Sequence, residues 1–150
     1  MYHAAMKTKI DPLSPDTELA FAMLAAAARI EKRLDRVLSG IRGVSYSEYQ
    51  LLRQLHLQPG ATATRVDLAE LVGLTASAVT RALKPLEKIG FVTTHKSERD
   101  ARLSLATLTD AGLELVRDAQ SVVNEQIGAM NWPAGDRSKL LAMLERLHRA

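Results

Sequence analysis

RVDLAELVGLTASAVTRALKPLEKIGFVTTHKSERDARLSLATLT, residues Arg65 to Thr109, decides the fold of this chain, because it reads as two short helices followed by a hairpin with a charged tip. Within it Ala69, Gly73 and Val79 stand four and then six residues apart. A small residue at 69 lets a second helix approach the first closely. Gly73 can take the positive φ that reverses the chain after Leu71 and Val72, a conformation that penalises any residue with a Cβ. Val79 then fills the angle between the two helices. Thr64 with Asp67 reads as a capping box, and Thr75 offers an N-cap hydroxyl to the second helix.

That second helix, roughly 75 to 89, places Val79, Ala82, Leu83 and Leu86 on one face and turns Ser77, Thr80, Arg81, Lys84 and Lys88 outward. A short, polar, cationic face is either a solvated surface or one suited to a major groove, where arginine forks onto guanine and hydroxyls reach phosphates or base edges. The following segment favours the groove. Phe91 to His95 and Leu103 to Leu108 read as strands, and the loop Lys96, Ser97, Glu98, Arg99, Asp100, Ala101, Arg102 is too charged to bury, so it projects. Residues 75 to 102 hold six Lys or Arg against three acids, a local net of +3 that equals the net charge of the whole chain. The positive excess is therefore concentrated on this helix and hairpin, as nucleic-acid binding requires.

Outside this stretch the periodicity is helical. Ser14 and Pro15 make a good helix start, and Met23, Ala27, Ile30, Leu34, Val37 and Ile41 recur at four- and three-residue spacing. Lys7 and Lys9 ahead of the apolar run Leu19 to Ala28 superficially resemble a secretory signal. Asp11, Asp16 and Glu18 interrupt it, and the run is too short to span a bilayer. Ser45 and Glu48 form a capping box for a helix reaching about residue 57, which Pro59 and Gly60 end. Leu113, Val116, Val123, Ile127 and Met130 form one C-terminal stripe. Leu140, Leu144 and Leu147 form another after the Trp132–Pro133 break, with Gly135 and Asp136 restarting the chain. The expected elements are helices over 15–40, 46–57, 65–72, 75–89, 110–130 and 136–148 and a hairpin over 91–108. Neither terminal helix is expected to belong to the compact lobe, so their stripes call for burial in a symmetric dimer.

Composition sets bounds. With 47% hydrophobic residues, 150 residues suffice for one domain with a real core or for a small lobe plus shared helices. The absence of cysteine excludes disulfides, thiolate zinc sites and a cysteine redox switch, and is consistent with a cytoplasmic location. His3, His56, His95 and His148 are scattered without metal-ligand spacing, and no nucleophile motif or glycine-rich phosphate loop is present. Neither an enzyme nor a cofactor is expected. His95 reads as a phosphate contact or a strand residue. Tyr46, Tyr49, Arg53 and His56 are either effector-cleft residues or ordinary core and surface positions.

The order of elements, together with LAELVGLTASAVTRAL, LEKIGFV and the wing residues Asp100 and Arg102 followed by Leu108, Thr109, Asp110, Ala111 and Gly112, resembles the MarR family of winged helix-turn-helix regulators. The resemblance covers nearly the whole chain, 1–150. It implies a mainly α fold with a small β-hairpin: a winged helix-turn-helix lobe over 46–109, with dimerisation helices at 15–42 and 110–150. It further implies a homodimer on double-stranded DNA at a pseudo-palindromic operator, a repressor role, and release by a small anionic aromatic effector. Arg102 would be the wing-tip arginine in the minor groove, and Asp100 would orient it or brace the wing. The candidate DNA contacts are Thr75, Ser77, Thr80, Arg81, Lys84, Lys88, His95, Lys96, Arg99, Asp100 and Arg102. The alternative is a winged-helix module that binds protein without DNA. Two departures stand out. Ala101 occupies a position where many members carry arginine, and Pro85 inside the reading helix removes the bond to residue 81, which predicts a bend near 81–85 and not a helix end.

Overall fold

The computed structural model describes residues 10–148 except Arg42 and Pro133; Lys7, Lys9, His3 and the proline of the Trp132–Pro133 break lie outside the described residues. The chain runs α1 (Pro15–Leu38), α2 (Tyr46–Leu57), β1 (Thr62–Thr64), α3 (Arg65–Val72), α4 (Ala76–Lys88), β2 (Val92–Lys96), β3 (Ser104–Leu108), α5 (Asp110–Gly128) and α6 (Arg137–His148). Most helix starts are fixed by side chains. The Ser14 hydroxyl accepts from Thr17 N–H, with Pro15 at the first helical position. At α2 the reciprocal box forms: Ser45 Oγ accepts from Glu48 N–H at 3.1 Å while the Glu48 carboxylate accepts from Ser45 N–H at 2.8 Å. Thr64 and Thr75 cap α3 and α4 by accepting from Asp67 N–H and Ala78 N–H. Gly73 ends α3 at φ 67°, ψ 31°, the left-handed turn its position called for. Pro85 lies inside α4 and the helix continues past it to Lys88.

The sheet is a correction by addition. The expected hairpin forms, antiparallel from Val92 opposite Leu108 to Lys96 opposite Ser104. A third strand, β1, pairs with the other edge of β3, so β3 is central. Thr62 and Thr107 face each other across this pair with hydroxyls 2.8 Å apart.

A second correction concerns α1 and α5, which share the core of the lobe, whereas α6 does not. One contiguous core joins Leu34 and Leu38 of α1, Leu51, Leu52 and Leu55 of α2, Leu68 of α3, Val79, Leu83 and Leu86 of α4, Val92 and Ala106 of the sheet, and Leu115, Val116 and Ala119 of α5. The last turns of α1 and the first half of α5 clamp α2 from behind. In α1 the fully buried residue of the last turn is Leu38, not the Val37 of the expected stripe. Leu34 and Leu38 are four apart, and a 3.6-residue turn carries a strict 3.5-residue stripe off the contact line. In α6 no described residue is buried.

Candidate nucleic-acid interface

Helix α4 is anchored by Val79, Leu83 and Leu86, which are almost wholly excluded from solvent and pack toward α2 and α3. Burying each leucine side chain is worth about 1.5–3 kcal/mol. This fixes the opposite face outward: Ser77, Arg81, Lys84 and Lys88 are exposed. Thr75 is exposed but its hydroxyl is committed to the cap. Thr80 is only half-exposed, and its hydroxyl donates to the Ala76 carbonyl at 3.0 Å. The Thr80 hydroxyl is thus committed to its own helix, and its methyl group is the part of the side chain left for apolar contact.

The wing is held to α4 by a tie that the sequence pattern does not announce. Glu87, on the exposed side of α4, accepts from Thr94 N–H of β2 at 3.2 Å and also from the Thr94 hydroxyl. The carboxylate thereby ties α4 to the hairpin. At the base, Thr109 Oγ1 donates to the Gly90 carbonyl at 2.6 Å and accepts from Gly112 N–H at 3.1 Å, joining the two ends of the wing to the start of α5. Gly112 is demanded by proximity. A Cβ there would sit 2.2 Å from the Phe91 carbonyl oxygen and 2.7 Å from the Leu108 side chain.

At the tip Ser97 N–H donates to the Leu103 carbonyl and Leu103 N–H to the Asp100 carbonyl, both at 2.9 Å, closing a compact turn. Asp100 then receives Arg102 three times: from its backbone N–H at 3.0 Å, from Nε at 3.1 Å and from Nη2 at 3.1 Å. These bonds, side chain first, hold the Asp100 carboxyl below its ordinary value. Arg102 is 90% exposed, so the fork aims the guanidinium outward while leaving three N–H donors free. His95, Lys96 and Arg99 are exposed on the same hairpin. The structure therefore brings the sequence-predicted residues into two adjoining groups, Ser77, Thr80, Arg81, Lys84 and Lys88 on α4 and His95, Lys96, Arg99 and Arg102 on the wing, joined through Glu87 and Thr94. The Glu87–Thr94 pair carries no signal in either sequence period, since Glu87 counts only as one acid on a basic face.

Tyr49 is buried in the core, which pushes its phenol upward, so of the four α2 positions weighed for a cleft this one is structural. Among the described residues no group of three His, Asp or Glu side chains could hold a metal ion. No helix among them is long and apolar enough to cross a membrane.

A model of the MarR family matches residues 44–104. An organic hydroperoxide resistance transcriptional regulator of Bacillus subtilis is 28% identical, the match covering 95% of this chain and 98% of the regulator. A helix-turn-helix-type transcriptional repressor of Mycobacterium tuberculosis is 30% identical over 74% of this chain and 78% of the repressor. Among solved structures, a MarR family transcriptional regulator from Streptomyces coelicolor in complex with DNA superposes with a TM-score of 0.79 at 26% identity, covering 93% of this chain and 89% of that one.

Proposed function

The chain belongs to the MarR family of transcriptional regulators, and from that premise we propose that it reads a pseudo-palindromic DNA site as a homodimer and represses transcription until a small anionic effector releases it. It is a regulator and not an enzyme. The observation that carries the proposal is the union of two cationic surfaces: the exposed face of α4 and the wing that presents Arg102, locked together by Glu87 and Thr94. In this reading α4 enters the major groove, Arg81 and Lys84 meet base edges or phosphates, and Arg102 reaches the adjoining minor groove. The regulator from S. coelicolor with the similar fold was solved on DNA, which supports that docking.

The lobe over 46–109 is the reading unit, and the helices over 15–42 and 110–150 pair two copies. Leu19, Phe21 and Leu24 of α1 and Leu140, Leu141, Met143, Leu144 and Leu147 of α6 are all exposed. A second copy that covers them would place two reading helices on one face of the duplex. The protein would act in the cytoplasm, where its DNA is. The B. subtilis relative is named for organic hydroperoxide resistance; the 150 residues here contain no cysteine, so sensing by thiol oxidation is closed to them and a bound effector is the available trigger.

The test is binding of a duplex from the protein's own upstream region, followed by fluorescence anisotropy across a salt series. Affinity should fall steeply and log-linearly with salt, since each phosphate contact contributes a slope of about 0.9. Binding that is absent, or flat in salt, would reject DNA reading and leave a protein-binding winged helix.

A further inference from the structure

Behind the reading lobe, between α1 and α5, a groove of about 450 Å³ is lined by Arg29, Lys32, Arg33, Arg36 and Val37 on one side and by Gln126 on the other. The four cations stand at i, i+3, i+4 and i+7, which gathers them on one face of α1. Like charges at these spacings weaken a helix, so the arrangement opposes the stability of α1. The acids of the same stretch, Glu31 and Asp35, offset only half of that charge, two acids against four cations over residues 29–36. Glu31 does not line the groove, and Asp35 is turned to α2, where it accepts from Tyr46 N–H at 2.6 Å. Among the described residues none of the four cations is in an ion pair.

We propose that this groove is a binding site for a small polyanion, a molecule carrying at least two adjacent phosphate groups. Three arginines offer forked donors that match phosphate oxygens in pairs, and Lys32 adds a point charge. Gln126 supplies an amide from the far wall, and Val37 an apolar contact for whatever the phosphates are attached to. The volume falls within the range of small-molecule sites. A lone carboxylate leaves most of the mutual repulsion in place, whereas a di- or triphosphate relieves it across all four side chains. Duplex DNA is the less favoured occupant, because α1 packs on α2 and α5 while α4 packs on α2, α3 and β2. The groove and the exposed face of α4 therefore belong to different helices. The site does not depend on the DNA-reading proposal, and its test separates the two.

Inorganic phosphate, pyrophosphate and tripolyphosphate are titrated calorimetrically into the full chain without DNA, alongside variants Arg29→Gln/Arg33→Gln, Lys32→Gln/Arg36→Gln and Arg102→Ala. Tripolyphosphate should bind best, with pyrophosphate roughly tenfold weaker and phosphate weaker again, as expected when charge-assisted bonds are removed stepwise. Each groove variant should weaken tripolyphosphate at least about tenfold, while Arg102→Ala leaves it unchanged and helix content by circular dichroism stays at the wild-type level. The proposal is overturned by no tripolyphosphate binding, or by binding that survives both groove variants and disappears in Arg102→Ala. It is also overturned if the groove variants lose duplex affinity as Arg102→Ala does, which makes the groove a DNA track, or if they change only the sedimentation of the dimer, which makes it an interface between copies.

Discussion

Helices α4 and α6 are nearly the same length, thirteen and twelve residues, yet they meet solvent in opposite ways. Helix α4 buries Val79, Leu83 and Leu86 and shows water its serine, arginine and lysines. Helix α6 shows water Leu140, Leu141, Met143, Leu144 and Leu147 and buries nothing. The first is complete within one chain. The second has an apolar surface that a folded monomer rarely leaves contiguous and open, and α1 adds Leu19, Phe21 and Leu24 to it. A helix whose polar face is outward has finished folding and is free to bind a charged partner, whereas one whose apolar face is outward still lacks its packing partner. In the proposed reading, DNA binding and dimerisation are two uses of the same amphipathic pattern.

The largest effect should come from placing one substitution on each helix. Leu83→Ala should destabilise the chain by about 2–5 kcal/mol, because the cavity lies where α2, α3 and α4 meet and cannot collapse fully. The loss should not depend on protein concentration. Leu144→Ala should cost far less in dilute solution, and its cost should grow with concentration, because it acts through association. Thermal melts over a hundredfold concentration range check both. Equal, concentration-independent losses would mean that α6 is packed within its own chain, and the contrast between the helices would vanish.

Next comes separation of the copies. Leu144→Asp with Leu147→Asp should shift sedimentation at micromolar concentration from dimer to monomer while helix content is retained. DNA affinity should then fall by about a hundredfold, since two linked lobes gain roughly 10²–10⁴ over one. A dimer that survives both charges would place the interface elsewhere.

These outcomes bear on how much of the molecule its sequence disclosed. The helices were legible because periodicity and caps act over three or four residues: Ser45 with Glu48, Thr75, and Gly73 announce their roles locally. Strand β1 was not legible. It is three residues long, too short to show alternation, and exists through pairing with β3 more than forty positions away. Leu115 and Ala119 were missed as core because α5 meets both α1 and α2, which widens its buried face beyond a single stripe. The proposed reading surface was legible as a list of cations, but the bonds that join its two parts were not. Glu87 reaches Thr94 across a turn, and Gly112 is needed because Phe91 folds back against it, both consequences of tertiary approach.

A smaller effect tests that surface. Arg102→Ala should reduce duplex affinity about tenfold and lower the salt slope by about one for each phosphate that the side chain no longer neutralises. Sedimentation should remain that of the dimer, because Arg102 belongs to the hairpin tip and not to the helices proposed to pair two copies. Unchanged affinity would show that the wing does not reach DNA and that α4 reads alone.

The smallest effect concerns Asp100, whose two influences on DNA oppose each other. Its carboxylate holds the Arg102 guanidinium in place by a fork, yet its charge repels phosphates. Asp100→Asn keeps an acceptor and removes the repulsion, so its effect on affinity should be smaller than that of Arg102→Ala. The pH dependence follows from the direction of the shift. The folded carboxyl is held below its ordinary value by Arg102, so its contribution is complete above that value and is lost as pH falls through the folded one. Between about pH 5 and 8 the pair is fully charged, given an ordinary aspartate value of about 3.9. Duplex affinity should therefore show no Asp100-dependent inflection in that window. An inflection between pH 5 and 8 that Asp100→Asn abolishes would mean that the folded carboxyl titrates above its ordinary value, the reverse of what a fork to Arg102 imposes.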